Sequence, residues 1–242
     1  MRKGIILKIL IFLLLTTTIA VNALANIVPI NGVTTGEISN AIPIYFVPSG
    51  YVFGICGFIY ISLLFYAFYI FKDFQKEDEK IFPWFVIGSL SNTIWIVLWH
   101  YKFIYLSILP MLLLLSSLIA IYNITDTKEY SKLKRIPFQI YLGWISVATI
   151  ANISGALYIS QWNGFGIPEQ IWAVIMIGIA TKLAILVTSM KKDVFYSLVI
   201  IWAVIGILVN FFSKSDLVTG ACLVSIMAIF MNIFTVIYIK KT

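Results

Sequence analysis

The stretch YVFGICGFIYISLLFYAFYIF, from Tyr51 to Phe71, carries no charge along its length and ends on Lys72. A helix rising ~1.5 Å per residue crosses the hydrocarbon core of a bilayer with ~20 apolar residues, so this run has the length of one crossing. It lacks the alternating polarity of a transmembrane β-strand. A lipid-crossing helix is the reading it supports, and the fold depends on how often the chain repeats it.

Outward from that segment the pattern recurs to both ends. Comparable spans are expected at about Ile5 to Leu24, Ile81 to Trp99, Phe103 to Tyr122, Ile136 to Leu157, Trp172 to Met190, Val194 to Phe212 and Leu217 to Ile239. With 61% hydrophobic and 11% charged residues and a mean hydropathy of +1.01, the chain lacks the polar surface of a soluble domain. The expected fold class is an all-α membrane protein of eight transmembrane helices.

Charge placement supplies an orientation. With a cytoplasmic amino terminus, the inner segments hold 14 of the 17 basic residues: Arg2, Lys3, Lys8, Lys72, Lys76, Lys80, Lys128, Lys132, Lys134, Arg135, Lys191, Lys192, Lys240 and Lys241. The outer segments keep Lys102 and Lys214, as the positive-inside rule requires of a multi-pass cell (inner) membrane protein with both termini cytoplasmic. The net charge of +7 then reads as topology and contact with anionic lipid. Nucleic-acid binding is not expected, because no basic stripe carries interleaved aromatics on a soluble face. Arg2, Lys3, the apolar run and Ala23-Leu24-Ala25 also fit a cleavable secretory signal, whose removal would leave seven spans and an external amino terminus; retention is the reading adopted.

Cys56 and Cys222 both fall inside expected spans, which argues against a disulfide framework and leaves a zinc site without ligands. The longest connection, residues 25–49, contains Pro29, Pro43, Pro48, Gly32 and Gly36 but one charge, Glu37. So uncharged a segment is expected to fold back over the outer helix ends instead of hanging in water. The inner connections Lys72 to Lys80 and Asn123 to Arg135 are rich in both signs of charge and are expected to be solvated turns.

Polar residues inside spans are costly and point to packing or function. Asn92, Trp95 and Trp99 share one face of the third span at i, i+3 and i+7; Trp144, Ala148 and Asn152 share one face of the fifth at i, i+4 and i+8. Ala151 and Gly155 add a small-xxx-small contact surface. Each face pairs an indole with an amide, which suits either interhelical packing or the wall of an aromatic cavity with a few polar contacts.

Three motifs on three spans, in order, resemble the tryptophan-rich sensory proteins, also called translocator proteins (TspO/MBR). Pro48-Ser49-Gly50-Tyr51-Val52-Phe53 with Gly57 and Tyr60 is similar to that family's entry to its second helix, and Asn92-x-x-Trp95 to its third-helix motif. Trp144-x-x-Val147-Ala148-x-x-Ala151-Asn152 is similar to its fifth-helix pattern. Two departures are Cys56, where the family usually has Trp, and Pro137, seven residues before Trp144 where four is usual. The resemblance implies a TspO-like five-helix bundle over residues 1–160, with a long external loop at 25–49 closing a pocket. Three additional transmembrane helices follow over residues 161–242.

It further implies a receptor or sensor that binds a hydrophobic, porphyrin-like ligand, a porphyrin or another haem-pathway compound, and works as a homodimer in the bilayer. Carried over residue by residue, the ligand-binding candidates are Phe53, Asn92, Trp95, Trp144, Ala148 and Asn152. The alternatives are a transporter or permease for a small apolar solute and a non-catalytic structural or regulatory subunit.

Two ionisable residues stand apart. Lys182 lies near the middle of the sixth span, too deep for simple snorkelling, with no acidic residue inside any expected span to pair with it; it is the candidate intramembrane charge. His100, the single histidine, ends the third span beside Trp99 and Tyr101 and reads as an interface residue. Catalysis is not expected: no paired intramembrane carboxylates, no nucleophile and base set by a motif and no second His are present.

Overall fold

A computed structural model describes residues 2–239, with side chains from Lys3 to Tyr238. The inner charges Lys240 and Lys241 lie outside the described residues. Nine α-helices are present among them: α1 (Arg2–Ile27), α2 (Thr35–Asn40), α3 (Ile55–Lys72), α4 (Lys76–His100), α5 (Ile104–Ile124), α6 (Lys132–Ile159), α7 (Glu169–Lys191), α8 (Val194–Phe211) and α9 (Asp216–Ile239). All but α2 are long and apolar enough to cross a membrane, which gives the expected eight spans. Their outward faces carry Phe58, Ile61, Phe68, Leu109 and Phe234, each more than half exposed, while Asn22, Asn92, Ser107 and Asn152 are buried. Such a polarity suits lipid as the surrounding solvent.

Because consecutive spans alternate, the connections before α4, α6 and α8 gather at one end, here the basic end, and residues 28–54 fall at the opposite, lid end. One core cluster runs through the bundle from Ile11 of α1 to Ile233 of α9. At the crossing of α6 and α8, a Cβ on Gly143 would come within 2.9 Å of the Tyr196 carbonyl oxygen, so glycine is what lets these two backbones touch.

The lid is built by local chemistry. Thr34 caps α2 in a reciprocal box: its hydroxyl accepts from Glu37 N at 3.3 Å while its own N–H donates to Glu37 Oε2 at 2.7 Å. The hydrogen bond from the Thr34 backbone, with that from its hydroxyl, holds the Glu37 carboxyl below its ordinary range. Ile38 and Ile42 pack down onto Trp99, Ile104 and Ala156 at the ends of α4, α5 and α6. The trailing part of the lid is held by α8. Ser49 N donates to Gly206 O at 3.0 Å, Asn210 Nδ2 to Val47 O at 3.1 Å and Trp202 Nε1 to Val52 O at 3.1 Å. A Cβ on Gly206 would collide with Val52 and approach Pro48 Cβ to 2.9 Å.

The basic end corrects one expectation. The Lys72–Lys80 and Asn123–Arg135 connections are not simply solvated turns, because α4 starts early enough to bury Asp78 completely. Asp78 Oδ2 lies 2.8 Å from Lys134 Nζ, itself fully buried, and accepts from Gln75 N at 2.7 Å. Asp78 Oδ1 accepts from Tyr130 at 2.7 Å and from Tyr66 at 3.3 Å, and Lys134 also donates to Asp73 O at 2.9 Å. The ions can leave water because nearly every lone pair and proton is matched. Nearby, Asp126 bridges Arg135 at 2.8 Å and Lys191 at 2.7 Å, tying the start of α6 to the end of α7.

Candidate functional site

The two polar faces expected from helical spacing converge on a cavity beneath the lid. Phe53, Asn92, Trp95, Trp144, Ala148 and Asn152 all line it, joined by Trp99 from α4. Its walls come from α1, α3, α4, α5, α6 and the lid, and no described residue of α7, α8 or α9 reaches it. Phe53 meets the Trp144 ring edge to face, with centroids 5.6 Å apart and planes at 85°; Trp95 stacks on Trp99 at 5.4 Å.

Two short chains of hydrogen bonds set the polar walls. In one, Asn22 of α1 donates to Asn92 Oδ1 at 2.7 Å, and Asn92 Nδ2 donates to the Tyr141 hydroxyl at 2.7 Å. In the other, Trp95 Nε1 donates to Asn152 Oδ1 at 3.0 Å, and Asn152 Nδ2 donates to Ser107 Oγ at 3.0 Å. The lid joins through Trp99 Nε1, which donates to Thr35 O at 3.3 Å, and through Thr35 N, which donates to Asn26 Oδ1 at 3.3 Å. Thr35 Oγ1 is buried at the cavity with no protein partner among the described residues. A polar group so placed has a hydrogen bond to offer to whatever enters.

Size and charge limit what the site does. The cavity has about 60 Å³ of space, enough for a few water molecules at roughly 10–15 Å³ each and far below the ~300–1,000 Å³ of a typical ligand pocket. Among the described residues no ionisable acid or base of the Asp, Glu, His, Lys or Arg type lines it. The lining is aromatic and aliphatic, with the amides of Asn22, Asn26, Asn92 and Asn152 already hydrogen-bonded, which suits retention of a flat, neutral surface. Among the described residues no three His, Cys, Asp or Glu side chains gather as a metal site would need.

Sequence spacing did not reveal every lining residue. Asn22 and Asn26 sit one turn apart at the lid end of α1, and Tyr141 lies one turn before Trp144, so the same periodicity would have found them. Thr35 and Ser39 come from the lid and carry no such signal. Lys182 is not part of the cavity. It is exposed in a groove between α7 and α9, on the lipid side of the bundle, with no carboxylate within 4.0 Å among the described residues. His100 is fully buried, its Nδ1 2.8 Å from Ile96 O, and its carbonyl accepts from Asn31 of the lid at 3.1 Å.

A family model described as TSPO-like protein matches residues 8–235, a range that reaches from α1 into α9. No curated protein and no solved structure matches the chain.

Proposed function

Since the chain belongs to the TSPO-like protein family, we propose that it binds a hydrophobic, planar, porphyrin-like ligand in the membrane, in the cavity under the lid. The observation that carries this reading is the meeting of Asn92, Trp95, Trp144 and Asn152 on a single cavity, with Phe53 packed on the Trp144 ring. In this reading residues 1–160 hold the ligand, and residues 161–242 act on them by clamping the lid through α8. Both termini are cytoplasmic and the lid is external, with the basic end inside.

The small volume gives the reading a mechanism. A tetrapyrrole does not fit in about 60 Å³, so binding requires the lid to lift and the paired amides to part. The energy of covering the macrocycle with Trp95, Trp99 and Trp144 offsets that opening. The uncharged walls leave ligand carboxylates at the lid end, in water, while the ring system enters between the helices.

Protoporphyrin IX titrated into the protein in lipid nanodiscs tests this through tryptophan quenching. Saturable quenching is expected, weakened about tenfold by Trp144→Ala, equivalent to ~1.4 kcal/mol. Quenching that rises without saturation, as in protein-free discs, would overturn the reading, as would a Trp144→Ala protein that binds unchanged. Labelling of Thr34→Cys and Lys132→Cys by an impermeant maleimide in intact cells tests the orientation, with reaction expected at the first alone.

A further inference from the structure

A second and larger cavity opens at the lid end, where residues 44–46 of the lid meet the end of α6, the 160–168 connection and the start of α7. It has about 560 Å³ of space, within the ~300–1,000 Å³ range of small-molecule sites. Tyr45, Phe46, Tyr158, Trp162 and Trp172 line it together with Glu169, and no basic residue does. Aromatic side chains are expected where helices leave a bilayer, but anchoring alone does not require them to enclose space.

The walls are held in place by their own polar ends. Trp172 Nε1 donates to Gly164 O at 2.9 Å, and the Tyr45 hydroxyl accepts from Gln170 Nε2 at 3.2 Å. Trp162 packs against Trp172 with centroids 5.1 Å apart and meets Phe165 edge to face at 5.3 Å. With the Trp172 N–H engaged, the wall offers indole and phenol ring faces to a ligand, and ring faces are electronegative. The Glu169 carboxylate adds a full negative charge. Lys214 does not line the cavity: it donates to Asn210 Oδ1 at 3.0 Å and lies over the Phe211 ring. In a chain of net charge +7, Glu169 is the one charged side chain among the described residues that line this cavity.

We infer that the cavity bounded by Tyr45, Trp162, Trp172 and Glu169 binds a hydrophobic organic cation, of the quaternary ammonium or phosphonium class. Such a cation places its charge over the indole and phenol faces, near the carboxylate, and its apolar substituents against Phe46 and Met176. An anion of the same shape meets the ring faces and Glu169 with repulsion. The site is independent of the cavity under the lid, since the two share no lining residue.

Tetraphenylphosphonium and tetraphenylborate, nearly identical in shape and opposite in charge, provide the test with the full-length protein in nanodiscs. Saturable binding of tetraphenylphosphonium above that of empty discs is expected, with tetraphenylborate failing to compete. Glu169 is exposed, so Glu169→Gln and Glu169→Lys leave the fold intact and are expected to weaken binding, the first about tenfold and the second more. Trp162→Ala weakens it as well, and Trp144→Ala leaves it unchanged. In discs matched in charge, competition by phosphatidylcholine but not phosphatidylethanolamine assigns the site to a lipid headgroup; no competition assigns it to a free cation. Binding that is unsaturable, equal for the two probes, indifferent to Glu169→Gln or lost on Trp144→Ala overturns the assignment.

Discussion

Asn22 and Asn92, 70 residues apart in sequence, share a buried hydrogen bond of 2.7 Å between α1 and α4. Asn92 passes the connection on to Tyr141 of α6, so one amide joins three helices around the cavity under the lid. Asn92→Ala is expected to destabilise the bundle by ~0.6–2 kcal/mol, as interhelical polar bonds in membranes do. Asn22→Ala has the smaller effect, because it leaves the Asn92–Tyr141 bond in place. Loss of helicity against increasing mole fraction of a denaturing detergent measures both.

The Asp78–Lys134 pair calls for a different pattern. Removing one buried charge strands the other, so Asp78→Leu or Lys134→Met alone is expected to cost ~3–5 kcal/mol. The double substitution Asp78→Leu with Lys134→Met is expected to recover much of that loss, since an apolar pair needs no desolvation. A thermodynamic cycle built from detergent unfolding of the four proteins measures the coupling, and additive losses would contradict it.

Lid closure depends on Gly206. Gly206→Ala drives a methyl group into Val52, which is expected to lift the trailing segment and raise the maleimide reaction rate of Ser39→Cys in the cavity. Gly220→Ala in α9 is the control, because a Cβ there meets nothing within 4 Å and the labelling rate should not change.

Two carboxylates outside the spans respond to pH in opposite directions. Burial works against ionisation of Asp126, but Lys191 and Arg135 outweigh it and hold its carboxyl below the ordinary value of 3.8. Its stabilising contribution is therefore present above pH 3.8 and is lost as pH falls through the lowered folded value. Burial dominates at Asp193 and pushes its carboxyl above 3.8, so the folded state favours the proton and loses stability as pH rises through that interval. Asp126→Asn is expected to lower the melting temperature near neutral pH, with the deficit closing below about 3.8. Asp193→Asn, which keeps an acceptor for Tyr196 N, is expected to hold or raise it.

The eight spans and the two polar faces were legible because both follow from periodicity: a crossing length for the first and 3.6 residues per turn for the second. The buried Asp78 was not, since an acid between Glu77 and Glu79 looks like part of a solvated run until Lys134 arrives from another helix. Sequence also could not foresee the hold of α8 on the lid. That contact rests on Gly206 and on backbone carbonyls at Val47 and Val52, groups that every residue possesses.

The buried pair at the basic end also has a consequence for synthesis. Lys134 follows Asp78 by 56 residues, which a ribosome working at about 5–20 residues per second takes roughly 3 to 11 seconds to add. During that interval Asp78 lacks the Lys134 ammonium that pairs with it in the fold, and an unpaired ion stays out of hydrocarbon. The first turn of α4 is therefore expected to stay among the phospholipid headgroups until Lys134 has been added.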